Sequence, residues 1–182
     1  MDISISRPII IEDNYAPLKR VNKDINRYYK DIQTEWDGLI RDPGSYWPDM
    51  RYEGRIESEI TYNQNGLLSL LVKEYGYYGG AHGGRYHKGL VYDLNSGKRL
   101  TIADLTQMDD ANIIQIVKKA VIEDRETKRY DYWANFIPAF DNSDEINFYL
   151  SEQGIHLILN EYEAGCYAAG LHYVLIRHLK VR

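Results

Sequence analysis

The chain is short of cysteine, of long apolar runs and of net positive charge, and each shortage excludes something. A single cysteine, Cys166, rules out an intramolecular disulfide and any zinc site built on two or more thiolates. A lone thiol fits the cytoplasm and equally an exported domain that draws its stability from its core. No apolar run approaches the ~20 residues needed to cross a bilayer, so no membrane insertion is expected. No charged-then-apolar leader opens the chain, so an exported form is expected to have lost its signal, and an anchor elsewhere in the native gene is compatible with this. With 22 Lys and Arg against 27 Asp and Glu, the net charge of −5 argues against a general nucleic-acid binder, whose affinity rests on many cationic contacts to phosphates.

What is present points to one soluble domain of 182 residues. A chain of this size buries roughly 70% of its unfolded surface, so it is expected to fold without metal, cofactor or oxidation. Its oddity is 17 Tyr against 3 Phe.

Periodicity supplies the elements. Ile3 to Ile11 reads as an opening strand that Pro8 confines to an edge or bend. Leu18, Val21, Ile25, Tyr28, Ile32 and Trp36 form the stripe of an amphipathic helix, with Asp13 or Asn14 as cap and Gly38 as terminator. Arg41 to Asp49, with Pro43, Gly44 and Pro48, reads as a loop. Tyr52 to Tyr62 alternates as a strand with one wet face, Ile56, Ser58 and Ile60 on the other. Asn65-Gly66 signals a hairpin turn, and Leu67 to Tyr78 is the return strand. Tyr86 to Leu94 follows, then a turn at Asn95 to Lys98 and a short strand, Leu100 to Ile102. A second helix, capped near Asp109 or Asp110, carries Ile113, Val117, Ala120 and Val121 on its core face. Thr127 to Asp144 is aromatic and irregular. Further strands are expected at Ile146 to Leu150, Ile155 to Asn160 and Tyr173 to Leu179. The order implies an α+β fold, a mainly antiparallel sheet packed against two amphipathic helices.

Three places could carry chemistry. The stretch from Tyr75 to His87 holds five glycines, at 76, 79, 80, 83 and 84. Glycine weakens a strand, so this density suits a sharp turn or the close approach of another surface. Tyr75, Tyr77, Tyr78, His82, Tyr86 and His87 offer flat contact area with polar tips. The stretch reads either as a binding loop for a sugar, peptide or protein, or as a wide hairpin with packed tyrosines. The glycine spacing is not that of a phosphate or dinucleotide loop. His82 and His87 could share a metal only if the loop curled back, and no third ligand is evident, so no metal is assigned. The second place is Asn160 to Gly170. Glu161 and Glu163 invite a glycosidase reading, Cys166 and His172 a thiol nucleophile with its base; a tight loop of small residues is the plainer account. The third is a basic helix face, Lys19, Lys23, Arg27 and Lys30 with Arg20 beside it. It suits an anionic polymer such as a wall teichoic acid, or simply the solvated side of the helix.

Several of these segments resemble one family in the same order. They are Tyr78-Gly79-Gly80-Ala81-His82-Gly83, Tyr92 to Lys98, Leu100 to Leu105, Phe148-Tyr149-Leu150 with Gly154-Ile155, and Tyr162-Glu163 leading to Tyr167-Ala168-Ala169-Gly170. The family is the RsiV/PdaC-type extracytoplasmic domain of bacteria, a domain of unknown function. The resemblance covers the chain from about Ile3 onward as a single domain, residues 1–182, with an N-terminal strand-helix-strand part over about 1–66 and the glycine-rich loop in the part over about 67–182. Thr106 stands where the family tends to carry Phe, and Ala164, Gly165 and Cys166 where it favours an apolar residue and Pro.

The resemblance implies an extracytoplasmic location, secreted or membrane-anchored. Relatives serve as sensor parts of anti-sigma factors, one type of which binds lysozyme, or precede the catalytic domain of peptidoglycan deacetylases. No deacetylase motif appears, since no Asp-Asp is followed by a spaced His pair that would hold a metal. The expected function is therefore non-catalytic recognition of a cell-wall glycan or a wall-directed protein such as lysozyme. The expected binding residues are Tyr75, Tyr77, Tyr78, Gly79, Gly80, His82, Tyr86, His87, Glu161, Tyr162 and Tyr167. The competing reading is a hydrolase of wall carbohydrate using Glu161, Glu163 and His82.

Overall fold

The computed structural model describes residues 2–11, 14–41, 52–128, 131–177 and 179. Asn65 and Gly66 sit at φ 55° and 76°, the twist that a two-residue turn between right-twisted strands needs. The turn joins β2 (Glu53–Gln64) to β3 (Leu67–Tyr77), which pairs with β4 (Gly84–Asp93). At the far edge β1 (Asp2–Ile5) lies parallel to β2, giving the order β1-β2-β3-β4. The opening strand is thus shorter than the expected Ile3 to Ile11; Ser6 N still donates to Ile56 O, and Pro8 then has no N–H to extend the ladder.

The helix α1 (Ala16–Arg41) covers one face of this sheet. Val21, Ile25, Ile32 and Trp36 are buried as the stripe foretells, together with Ile56, Leu70, Val72, Leu90 and Tyr92. Tyr29 takes the deep place expected of Tyr28, which is only half-buried. The helix does not stop at Gly38, whose missing side chain faces open space; a helical glycine costs about 1 kcal/mol relative to alanine but does not by itself end a long helix. Among the described residues, no first-turn amide of α1 donates to the Asn14 side chain. Asn14 has φ 60° and its side chain accepts from Lys19 Nζ, while Leu18 N and Lys19 N donate to Tyr15 O. Asp13, and the expected loop beyond Arg41, lie outside the described residues. In β2 the alternation breaks because the pairing slips between Ile60 and Tyr62, leaving Ile60 59% exposed.

The remaining elements build a second layer system: the expected α+β fold of mainly antiparallel strands with two long helices is present, divided among the described residues into two sheets rather than one. Leu100 to Ile102 is not a strand. Leu100 N donates to Val91 O, Arg99 bridges Tyr92, and Thr101 then starts α2 (Ile102–Thr106). The Thr101 hydroxyl accepts from Asp104 N and the Asp104 carboxylate accepts from Thr101 N, a reciprocal capping box. After Asp109 as cap, α3 (Asp110–Thr127) buries Ile113, Val117, Ala120 and Val121 as expected. They pack against an antiparallel sheet of β5 (Phe148–Ser151), β6 (Gly154–Leu159) and β7 (His172–Ile176).

The two sheets are stitched on the face of β3–β4 opposite α1. Ser69 Oγ accepts from Leu150 N, Gly89 N donates to Asn147 Oδ1, and Asn147 Nδ2 donates to His87 O. At Gly89 the crossing is so close that a Cβ would lie 1.6 Å from Phe148 O.

Candidate functional site

Four elements converge at the end of the first sheet: the C-terminal half of α1, the tips of β3 and β4, and the loop after β6. They enclose a cleft of about 770 Å³. Its floor depends on paired glycines. Gly54 and Gly76 face each other in the β2–β3 register on the α1 side; a Cβ at Gly54 would lie 2.5 Å from the Trp36 ring, and one at Gly76 would lie 2.4 Å from the Tyr78 hydroxyl. Two aromatic rings can therefore lie flat on backbone, with Tyr28 and Tyr86 further along.

The glycine-rich segment is largely explained by such packing. Gly76 underlies Tyr78 and Gly83 underlies Tyr75. Gly79 and Gly80 turn the chain at φ 93° and 96°, a backbone region that costs other residues energy. Nothing in the structure requires a glycine at 84, where a Cβ would meet open space. Tyr77 is spent on the turn, its hydroxyl donating to Gly80 O.

The loop after β6 meets this segment directly. Arg85 donates from its backbone N and from Nε to the Glu161 carboxylate, whose side chain is 4% exposed. His82 stacks on Tyr167 with ring centroids 3.6 Å apart, and its Nε2 lies 3.3 Å from the Tyr162 hydroxyl. Arg85 also lies over the Tyr167 ring, 5.9 Å from its centroid.

Of the residues expected from sequence, Tyr78, Gly79, His82, Tyr86, Glu161 and Tyr162 line the cleft, with Tyr167 and Gly80 alongside. Tyr75 points the other way and lines a separate cleft beside β1. His87 also faces away, sharing a hydrogen bond with Tyr173. Burial, reinforced by Lys73 and Arg85, holds its imidazole down at about 4, so it is neutral at pH 7. Tyr86 and Tyr162 are 44% and 53% exposed, whereas Tyr75 and Tyr77 are half-buried.

Sequence reading missed what α1 and β3 contribute: Tyr28, Asp31, Glu35, Trp36 and Glu74. Glu74 Oε1 accepts from the Tyr28 hydroxyl at 2.6 Å. Burial raises the Glu74 carboxyl, the Tyr28 bond opposes that rise, and Glu35 adds to it. Burial also pushes Tyr78 up to about 12, helped by Glu35 and Glu74. An available signal was Glu74 itself, an acid at the next inward position after Leu70 and Val72.

The catalytic constellations do not assemble. Glu163 accepts from Asn160 N and lines a neighbouring cleft, apart from Glu161. Cys166 is exposed, whereas His172 is buried against the Tyr132 ring. Among the described residues, no group of three or more His, Cys, Asp or Glu could hold a metal, and no helix is long and apolar enough to cross a membrane.

Comparison with known proteins follows the two halves. Residues 1–85 match the family model described as "Deacetylase PdaC", and residues 103–178 the one described as "Protein of unknown function (DUF3298)". No curated protein matches the chain. A crystal structure of a DUF3298 family protein from Pseudomonas aeruginosa superposes with TM-score 0.65 at 14% identity, covering 86% of this chain and 74% of its own. A member of the same family from Bacteroides fragilis gives TM-score 0.57 at 21% identity, covering 93% and 70%. At these identities the likeness is one of fold.

Proposed function

We propose, for a chain that belongs to the PdaC/DUF3298 type of domain of unknown function, a non-catalytic recognition role outside the cytoplasm. Its ligand is a cell-wall glycan or a wall-directed protein of the lysozyme type. The observation that carries the reading is the joining of two Tyr-rich loops, 78–86 and 161–167, at the mouth of one aromatic cleft. Tyrosine gives large contact area at low entropy cost, and its ring can pack on a sugar face or a protein side chain. The hydrolase reading has less support. A glycosidase needs two carboxyl groups flanking one bond, and here Glu161 is held by Arg85 while Glu163 opens into a different cleft.

The test is calorimetric titration of soluble peptidoglycan fragments and of a lysozyme into the protein and its Tyr86→Ala and Tyr162→Ala variants. Each substitution is expected to weaken binding by about 1 kcal/mol or more at a hot spot, with the melting temperature little changed because both rings are exposed. Undiminished affinity in both variants, or wild-type protein that binds neither ligand, would overturn the reading.

A further inference from the structure

The walls of the cleft are aromatic, and its uncommitted charges are of one sign. Glu74 pairs across the strands with Tyr86 and is bonded to the Tyr28 hydroxyl. Among the described residues no Lys or Arg is paired with it. Glu35 and Asp31 stand on the last turns of α1 at the rim. Arg85, among the described residues the one Lys or Arg lining the cleft, is already bound to Glu161. A half-buried carboxylate without a counter-charge is a cost to the fold, and a cation arriving from outside would offset it. The molecule holds one cation in this way already: the Arg85 guanidinium is gripped by the Glu161 carboxylate and lies over the Tyr167 ring.

We propose that the cleft takes an arginine or lysine side chain presented by a protein partner. The cation meets the Glu74 carboxylate, Glu35 and Asp31 set the field at the entrance, and Tyr28, Tyr78 and Tyr86 surround the alkyl stem and charge. The partner is a polypeptide rather than a sugar chain because of what lies beyond. Tyr86 also lines the adjoining cleft of about 490 Å³, whose Phe136, Ile137 and Phe140 suit the apolar neighbours of a basic residue. Ile137 is 52% exposed there. An anionic polymer would meet like charge. This inference rests on the recognition role proposed above and specifies its chemistry.

The experiment uses the whole chain and a labelled acetyl-Leu-Arg-Leu-Arg-Leu-amide peptide, read by fluorescence anisotropy. The same peptide with citrulline for arginine keeps the shape and removes the charge. Binding of the arginine peptide is expected, with affinity falling about tenfold or more for the citrulline form and for the Glu74→Gln variant. Glu35→Gln, further out, should cost a few-fold. Glutamine still accepts from Tyr28, so Glu74→Gln should fold, and an unchanged melting temperature verifies this. Equal binding of the citrulline peptide, or wild-type affinity in Glu74→Gln, would overturn the proposal. Stronger binding of a de-N-acetylated chitohexaose at the same site would overturn the protein class of partner. If Tyr86→Ala and Tyr162→Ala weaken a wall ligand while Glu74→Gln does not, the recognition role survives and the cation site falls. If the arginine peptide loses affinity in Glu74→Gln and Tyr86→Ala but the wall ligands bind both variants and Tyr162→Ala unchanged, the cation site stands and the wall ligand is not its occupant.

Discussion

Both halves of the molecule lay a helix on a sheet, yet they finish the job differently. Beneath α3 the contact is sealed: Ile113, Val117, Leu157 and Ile176 are all at or near zero exposure. Beneath α1 the seal runs from Val21 and Ile25 to Tyr29, Ile32 and Trp36, and a cleft opens beside those last residues. Further along, the inward positions turn polar or aromatic, with Tyr28, Trp36, Glu74 and Tyr78 around an open cleft. Apolar burial stabilises each half, and each leaves titratable groups half-desolvated at an edge: Glu74 and Tyr78 beside α1, His156 and Tyr173 on the second sheet. On the proposed role, the second sheet supports the site and lends it the loop after β6, while the first carries the surface, with Glu74 as a cost to the fold.

If that division is right, a cavity in the sealed half should cost the most. Leu157→Ala is expected to lose about 2–5 kcal/mol in urea unfolding, with ligand affinity of the remaining folded protein unchanged. Gly89→Ala attacks the seam instead. Its Cβ would collide with the Phe148 carbonyl at 1.6 Å, a backbone contact that no rotamer can relieve. A loss of about 1–3 kcal/mol or more is expected, and a value near zero would mean that the two sheets are not docked as described. Thr101→Ala removes one side of the α2 capping box and should cost about 1 kcal/mol.

The smallest effects are pH-dependent and separate the two faces of the first sheet. Glu74 is raised in the fold, so the native state binds its proton more readily than the unfolded chain. Its contribution to stability therefore grows as pH falls through the range just above the ordinary carboxylate value. His87 is lowered to about 4 from the ordinary 6.5, so the unfolded chain takes the proton first. Its contribution is lost as pH falls between those two values. Glu74→Gln should make the acid loss of stability steeper and His87→Gln should make it shallower, measured as unfolding free energy against pH. The same sign for both variants would refute the assignment of the two groups to their environments.

The legible parts of the fold were those set by local pattern. The α3 core face, Ile113, Val117, Ala120 and Val121, and the Asn65-Gly66 turn need only neighbours in sequence to be read. Thr101 and Asp104 carry the capping-box spacing of α2, but apolar Leu100 and Ile102 around Thr101 imitate strand alternation and mask it. The division into two sheets was hidden, because nothing local distinguishes a strand that joins one sheet from a strand that starts another. In the candidate site, Tyr78, Tyr86, His82 and Tyr162 stood out by composition. Trp36 and Tyr28 did not, because a helix stripe looks the same whether it meets a closed core or glycines at 54 and 76. Tyr75 and His87 share the residue types of the site, but strand alternation turns them to the face opposite Glu74 and Tyr86.

The most direct test of the central claim, that recognition occurs at the cleft between α1 and the β3–β4 tips, is a map of where a ligand touches. Nuclear magnetic resonance titration of the isotope-labelled protein with peptidoglycan fragments, and separately with a lysozyme, provides it. Shifts concentrated on Tyr28, Trp36, Glu74, Tyr86 and Tyr162 are expected. Shifts clustered instead on α3, or on the far face around His156 and Tyr173, from a ligand that demonstrably binds, would contradict it.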